Sequence, residues 1–357
     1  MRFTTERKTL AQHLARLAPF AGRRPGTDLV RVEVADGRLA VSATDHLAWA
    51  SISSPVESGE AASSVVPLER LRSVLAAIDS ELVEVGVDAT AVVVADDAGR
   101  ARLLADQRPF PPLPKVADAG DVLAMPTADL AERLGSVSVA MAKEAARYAI
   151  NGVQVEQGVA VATDGRMLAM RNGLPKHDAV LLPDRLVRSV CDFAKAFPEG
   201  EATLSAGKAA VTVAGTCGEV RWLVGSTRLE GLFPPWRGVV PRDEPKATLV
   251  VEVERFAAAL RQAATLTDDD SRGVRATLDA GSLVMVARSQ VGESEVRLAA
   301  EGRGAAQVGM NPVQAGALLS GCPSEAVLLE VTEPSKPIRF VAQGIEWRAV
   351  LMPLSLA

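Results

Sequence analysis

Two carboxylates in matching contexts are the residues of this 357-residue chain that most resemble a catalytic pair. Asp45 ends segment 37–45 and Asp164 ends segment 158–164, and each segment alternates apolar residues before finishing with Ala-Thr-Asp. Such carboxylates could serve a hydrolase as a general base or hold a metal ion. An Asp between a strand and a turn more often accepts hydrogen bonds from the next backbone N–H groups. The sequence therefore favours a turn role, and a hydrolase using Asp45 or Asp164 is the less favoured alternative.

The other residue types that carry chemistry show no catalytic spacing. The histidines and cysteines are His13, His46, His177, Cys191, Cys217 and Cys322. The histidines have no H-x-x-x-H spacing and the cysteines lie far apart in the sequence, so neither zinc nor thiol chemistry is indicated. The chain also lacks the phosphate-binding pattern G-x-x-x-x-G-K-[ST]. We therefore expect no enzyme activity, no metal and no cofactor.

Composition is that of a globular protein, with 48% hydrophobic and 23% charged residues. No apolar run approaches the roughly 18 residues that a membrane helix needs. The charged start and the three cysteines predict a reducing cytoplasm rather than secretion. Because the formal net charge is −5, a nucleic-acid partner would have to meet a local basic surface.

Internal repeats predict the domain organisation. Asp45 and Asp164 lie 119 residues apart, and the motif starting at Phe110 (Phe-Pro-Pro-Leu) returns 123 residues later at Phe233 (Phe-Pro-Pro-Trp). Polar or proline-marked segments near 117–124 and 241–247 are typical of linkers. We predict three similar domains, 1–118, 119–244 and 245–357.

Secondary structure follows from periodicity. Apolar residues spaced 0, 4 and 7 mark one face of a helix, and prolines 67, 126, 183 and 312 suit first helical turns. The candidate helices carry Leu10/Leu14/Leu17, Leu71/Leu75/Ile78, Leu130/Leu134/Val137, Leu186/Val190/Phe193, Phe256/Leu260/Ala263 and the weaker segment 311–322. Short Val-rich runs between them indicate antiparallel strands. The predicted class is α+β, with two helices in each domain.

Several segments, taken in order, resemble one known family. They are 1–7 (Met-Arg-Phe-Thr-Thr-Glu-Arg), 23–25 (Arg-Arg-Pro), 146–152 (Ala-Arg-Tyr-Ala-Ile-Asn-Gly), 161–166 (Val-Ala-Thr-Asp-Gly-Arg), 233–241 (Phe-Pro-Pro-Trp-Arg-Gly-Val-Val-Pro) and 349–356 (Ala-Val-Leu-Met-Pro-Leu-Ser-Leu). Together they resemble the bacterial DNA sliding clamp, the β subunit of DNA polymerase III, over the whole chain.

This resemblance implies a head-to-tail homodimer of three-domain protomers that forms a six-domain ring around duplex DNA. Such a processivity factor binds the DNA polymerase III α subunit, the clamp loader, and other polymerases and repair proteins through short linear peptides. A ring is held on DNA by topology, so an acidic protein can serve, with only sequence-independent contacts to phosphate. A specialised paralogue, such as an inhibitor-resistant replacement clamp, remains an alternative.

The resemblance also implies three sets of site residues. The DNA-facing set is Arg24, Lys143, Arg147, Tyr148, Arg185, Arg272, Arg275 and Asn311. The peptide pocket is Ile150, Thr163, Gly165, Arg166, Leu168, Pro234, Val239, Val350, Met352, Pro353 and Leu354. The dimer interface is Arg70, Arg100, Arg102 and Leu103 on one edge, with Thr265, Leu266, Glu293 and Glu295 opposite. Arg166 and Met167 depart from the family pattern, which often has His or Tyr followed by a basic residue.

Overall fold

The computed structural model describes residues 1–22, 26–57, 60–113, 120–143, 148–268 and 273–355. Within them the chain repeats one order of elements three times: a strand, a helix, several strands, a second helix and three strands. This confirms the α+β class and the threefold internal similarity. Among these residues, no helix combines the length and apolar character that a membrane crossing requires.

Each repeat begins with a strand that leads directly into its first helix. The first runs β1 (Arg2–Glu6), α1 (Arg7–Leu17), β2 (Leu29–Ala35), β3 (Arg38–Thr44), β4 (Ala48–Pro55), β5 (Ala62–Pro67), α2 (Leu68–Ala76), β6 (Leu82–Asp88), β7 (Ala91–Ala95) and β8 (Arg100–Leu104). The second runs β9 (Gly120–Pro126), α3 (Thr127–Ser138), β10 (Gly152–Glu156), β11 (Val159–Thr163), β12 (Met167–Asn172), β13 (Val180–Pro183), α4 (Asp184–Ala196), β14 (Glu201–Ala206), β15 (Ala210–Cys217) and β16 (Val220–Thr227). The third runs β17 (Ala247–Glu252), α5 (Val253–Ala264), β18 (Val274–Asp279), β19 (Ser282–Ser289), β20 (Gly292–Ala299), β21 (Glu301–Arg303), β22 (Ala306–Met310), α6 (Pro312–Ser320), β23 (Ala326–Val331), β24 (Ile338–Ala342) and β25 (Trp347–Leu351).

All six predicted helices form, and their apolar stripes are buried. In α1, for example, Leu10, Leu14 and Leu17 are at most 3% exposed. The predicted apolar stripe of α2 included Ile78, but α2 ends at Ala76, so Ile78 lies outside the helix.

The proline signals need correction at three of four helices. Only Pro312 lies in a first helical turn, where Asn311 caps α6 by accepting hydrogen bonds from Val313 N and Gln314 N. Prolines 67, 126 and 183 are instead the last residues of β5, β9 and β13, directly before their helices. A strand end, like a first helical turn, can spare the N–H that proline lacks.

Strands from different repeats join into continuous sheets. One sheet has the order β5-β2-β3-β4-β16-β15-β14-β9, and another has β13-β10-β11-β12-β25-β24-β23-β17-β21. We call the β4–β16 pairing the first seam and the β12–β25 pairing the second seam. Trp49 lies opposite Gly225 in the first, and Leu168 lies opposite Val350 in the second. Two four-stranded sheets, β1-β6-β7-β8 and β20-β19-β18-β22, complete the described fold.

Each seam belongs to its own compact unit. One unit comprises Met1–Ala131 with Arg188–Arg228, and the other comprises Glu132–Val187 with Leu229–Ala357. The units therefore follow the sheets rather than the order of the repeats. The domain boundaries at 118 and 244 stay predictions.

We predict that Gly225→Ala destabilises the protein by about 1–3 kcal/mol, because the added Cβ would overlap the Trp49 indole in the first seam. The measurement is the urea midpoint followed by tryptophan fluorescence. Gly281→Ala is the matched control, since its Cβ would meet open space. Equal midpoints for the two variants would contradict the close approach of these strands.

Candidate functional site

The two Ala-Thr-Asp motifs form the same hydrogen-bonded turn. Asp45 Oδ1 accepts Leu47 N at 3.1 Å and Ala48 N at 3.0 Å. Asp164 Oδ1 accepts Arg166 N and Met167 N, both at 2.8 Å. These bonds give both carboxylates the turn role that the sequence favours. Within the described residues, no group of three or more His, Cys, Asp or Glu side chains could hold a metal ion.

This turn requires a left-handed residue after the Asp. Gly165 has φ of 89° in the second repeat, and His46 has φ of 77° in the first. Glycine adopts this conformation without steric cost, whereas a side chain at the same φ is strained. The second repeat thus carries the less strained form of the turn, and leaves the space beside residue 165 free of a side chain.

The turn of the second repeat borders a pocket of about 250 Å³ at the second seam. Arg166 O accepts a hydrogen bond from Met352 N at 2.8 Å, which brings the turn and the chain after β25 side by side. The lining residues are Ile150, Thr163, Gly165, Arg166, Met167, Leu168, Pro234, Pro235, Trp236, Val239, Val350 and Met352. Val239 and Met352 are 44% and 40% exposed, so apolar side chains are open to solvent at the pocket.

The structure brings together every predicted pocket residue except Pro353 and Leu354. These two lie outside the lining because the chain turns away after Met352, and Leu354 N donates to Gly309 O in β22 at 2.9 Å. Sequence reasoning missed Met167, Pro235 and Trp236 as lining residues. The Phe-Pro-Pro-Trp repeat contained a signal for the last two, since it adjoins Pro234 and Val239.

Trp236 is a buried residue that holds one wall of the pocket in place. It packs with Val161, Leu168 and Val350 in a buried apolar cluster, and its Nε1 donates to Glu156 Oε1 at 2.9 Å. Burial raises the pKa of the Glu156 carboxyl, but hydrogen bonds from Trp236 and Arg237 outweigh it and leave the pKa below its ordinary value. The wall of the pocket is therefore anchored by a carboxylate that stays charged at neutral pH.

The position of Leu168 in the pocket is held by a larger residue in the first seam. Trp49 and Leu168 hold the same position, because each pairs with the Thr of its Ala-Thr-Asp motif. Trp49 is buried over Gly225, so its ring fills the space above that glycine. In the second seam the smaller Leu168 faces Val350, and both residues line the pocket.

The predicted DNA-facing residues are only partly described. Arg24, Arg147 and Arg272 lie outside the described residues, as does the Tyr148 side chain. Lys143 and Arg275 are exposed, and Arg185 is half-buried in the first turn of α4. Asn311 uses its side-chain oxygen to cap α6. Their contact with DNA stays a prediction.

The predicted interface residues lie on two sheet edges or next to them. Arg100, Arg102 and Leu103 belong to β8, while Glu293 and Glu295 belong to β20. Leu266 lies against β20, since a Cβ on Gly292 would sit 3.7 Å from a Leu266 methyl carbon. Arg70 and Thr265 are exposed on α2 and just after α5.

Comparison with known proteins finds curated relatives of one kind but no matching family model. No family model matches the sequence. The chain is 26% identical over 384 residues to a beta sliding clamp of Caulobacter vibrioides, covering 99% of this chain and all of that protein. It is 25% identical over 341 residues to the beta sliding clamp of Treponema pallidum, covering 88% of each chain.

Solved structures that resemble this fold are also sliding clamps. A sliding clamp from Pseudomonas aeruginosa bound to griselimycin superposes with a TM-score of 0.89 at 23% identity, over the full length of both chains. The DNA polymerase III β subunit of Thermotoga maritima gives 0.86 at 19% identity, again over both full lengths.

The three repeats and their seams thus define a DNA clamp fold. The similarity to curated relatives over most or all of the chain confirms the resemblance to bacterial beta sliding clamps.

We predict an acid transition localised at Trp236. A carboxyl with a lowered pKa stabilises the fold above its unfolded pKa, and this contribution is lost as pH falls through the folded pKa. The ¹⁹F resonance of fluorotryptophan-labelled Trp236 should therefore shift only at pH values below the ordinary pKa of a glutamate. Glu156→Gln should remove this shift. Trp347, whose Nε1 donates to Ser136 O, is the internal control, and the same shift at both residues would contradict the assignment.

Proposed function

We propose that this chain is a DNA sliding clamp: two copies form a ring around duplex DNA, tether the replicative polymerase and dock other replication and repair proteins. It does no covalent chemistry of its own and works in the bacterial cytoplasm. The observation that carries the proposal is the repeated seam. The last strands of the second and third repeats, β16 and β25, each pair with a strand of the preceding repeat, and we infer that the last strand of the first repeat, β8, pairs in the same way with a second copy of the chain.

Two strands, β8 and β20, lie at the ends of the two four-stranded sheets in the described structure and take no part in either seam. In the first seam β4 pairs with β16, and in the second β12 pairs with β25. By position in the repeat, β20 corresponds to β4 and β12, while β8 corresponds to β16 and β25. We therefore expect β20 to pair with β8 of the partner subunit, which would pair two otherwise open edges.

The internal seams also give the register of that pairing. Glu293 corresponds to Trp49, since it pairs with Arg288 across its hairpin as Trp49 pairs with Thr44. Arg102 corresponds to Gly225, because each lies eight residues before the Phe of its Phe-Pro-Pro motif. Trp49 pairs with Gly225, so Glu293 should pair with Arg102 of the partner subunit.

This register is chemically complementary. It sets Glu293 opposite Arg102 of the partner subunit and Glu295 opposite Arg100 of the partner subunit, all four being exposed. Val291, 86% exposed, meets Leu104 of the partner subunit, a residue that is 67% exposed in the single chain. On the other face, Leu266 beside Gly292 would meet the partner's Leu103. Opposite charges would fix the register while apolar contacts supply attraction.

We predict that Arg100→Glu with Arg102→Glu raises the dimer dissociation constant at least tenfold at low salt, because like charges then face each other. Adding Glu293→Arg and Glu295→Arg should restore the dimer. Sedimentation measures the association, and Lys208→Glu, an exposed charge in the β14–β15 turn, is the control. A charge-reversed quadruple variant that stays monomeric would show that the register is different.

The second-seam pocket supports the docking role. An exposed apolar pocket on a globular protein is normally an interaction site, and two or three buried side chains would give a modest affinity suited to exchange of partners. The Pseudomonas aeruginosa clamp was solved with griselimycin bound, so a clamp of this fold accepts a ligand.

The experiment that tests the clamp function measures topology. Loaded onto a closed plasmid by its clamp loader, the protein should remain through moderate salt and leave after linearisation, since salt weakens phosphate contacts but cannot open a ring. The Arg100→Glu/Arg102→Glu variant should be lost from both forms. Equal loss of the wild type from circular and linear DNA would refute encirclement.

A specialised clamp paralogue is the second candidate. The observation that favours it is the pair Arg166 and Met167, both of which line the pocket where the family pattern differs. A different pocket wall would alter peptide preference without altering the ring.

A further inference from the structure

A second hollow shares one wall with the second-seam pocket. Residues Pro234, Pro235 and Trp236 form a ridge that lines both the second-seam pocket and a second hollow of about 390 Å³. We call this the ridge hollow. It is further lined by Leu232, Phe233, Glu156 and Arg237.

The most exposed large apolar side chain of the described residues lies in the ridge hollow. Leu232 is 93% exposed, while Phe233 beside it is half-buried and packs on the cluster that contains Trp236. Single exposed leucines are common, but one that lines a hollow sharing a wall with an apolar pocket extends the candidate interaction surface. Leu232 therefore has a position suited to contact with a partner rather than to the core.

The ridge is held rigidly, so a partner could use both of its sides at little ordering cost. Glu156 accepts hydrogen bonds from Trp236 Nε1 at 2.9 Å and from Arg237. The Arg237 guanidinium also stacks over the Trp236 ring, 4.5 Å from its centroid. A preformed surface loses less entropy on binding than a flexible one.

We propose that the ridge hollow binds an apolar side chain from a residue that flanks the pocket-bound segment of the same partner peptide. This inference rests on the proposed docking function. The side chain would bury Leu232 and Phe233, and the fixed ridge would set its spacing from the residues in the pocket.

A double-mutant cycle tests the proposal. The probe is the tightest-binding 20-residue peptide from an overlapping series that spans the DNA polymerase III α subunit, followed by fluorescence anisotropy. Each apolar residue of the peptide is replaced by serine and measured against wild type, Leu232→Ser and Val239→Ser. Leu47→Ser, which alters a leucine that is 64% exposed outside both hollows, is the matched control. Because Leu232 is almost fully exposed, its replacement should leave folding intact.

We expect Leu232→Ser to weaken the peptide about three- to tenfold and Leu47→Ser to leave its affinity unchanged. One flanking apolar residue should lose its effect in the Leu232→Ser background only, whereas other residues should couple to Val239. If Val239 couples but no peptide residue couples to Leu232, the ridge hollow is not part of the peptide site while the docking function stands. If no peptide binds the wild type, both fail.

Discussion

Antiparallel pairing between the last strand of one repeat and a hairpin strand of another is the interaction on which the rest of this structure depends. A repeat alone would expose a row of unpaired N–H and C=O groups at that edge. The β4–β16 and β12–β25 pairings remove two such edges and create the two long sheets. The pairing has the same register twice, and the corresponding strands β8 and β20 end their sheets, which is why the proposed dimer pairs these two edges.

The pocket is a consequence of the same pairing. The second seam brings together the turn after an Ala-Thr-Asp strand, the last strand of another repeat and the Phe-Pro-Pro segment. The matched pair differs between the two seams: it is Trp49 with Gly225 in the first and Leu168 with Val350, which line the pocket, in the second. The two seams therefore share the same hydrogen-bonded turn, while the side chains around it differ.

The carboxylates that first suggested catalysis help to build this frame. Asp45 and Asp164 each use one oxygen to accept two backbone N–H groups, which fixes the turn and places the carbonyl of the second residue after each Asp for its seam hydrogen bond. That carbonyl accepts Thr227 N in the first seam and Met352 N in the second, both at 2.8 Å. The exposed arginines of β8 and glutamates of β20 carry the opposite charges that the proposed pairing with a partner subunit uses.

The sequence by itself determined the elements and their repetition, because periodic apolar residues and turn-forming motifs act over a few residues. The stripe Leu10/Leu14/Leu17 and the echo of Ala-Thr-Asp needed no distant partner to be recognised. Only the tertiary structure decided which strands join, that Trp236 anchors the pocket through Glu156, and that Leu354 turns away towards Gly309. The hydrogen bond between Trp236 and Glu156 links residues that are 80 positions apart in the sequence. Contacts of this kind depend on the register of whole sheets and on the sizes of the side chains that pack against each other, which local sequence patterns do not specify.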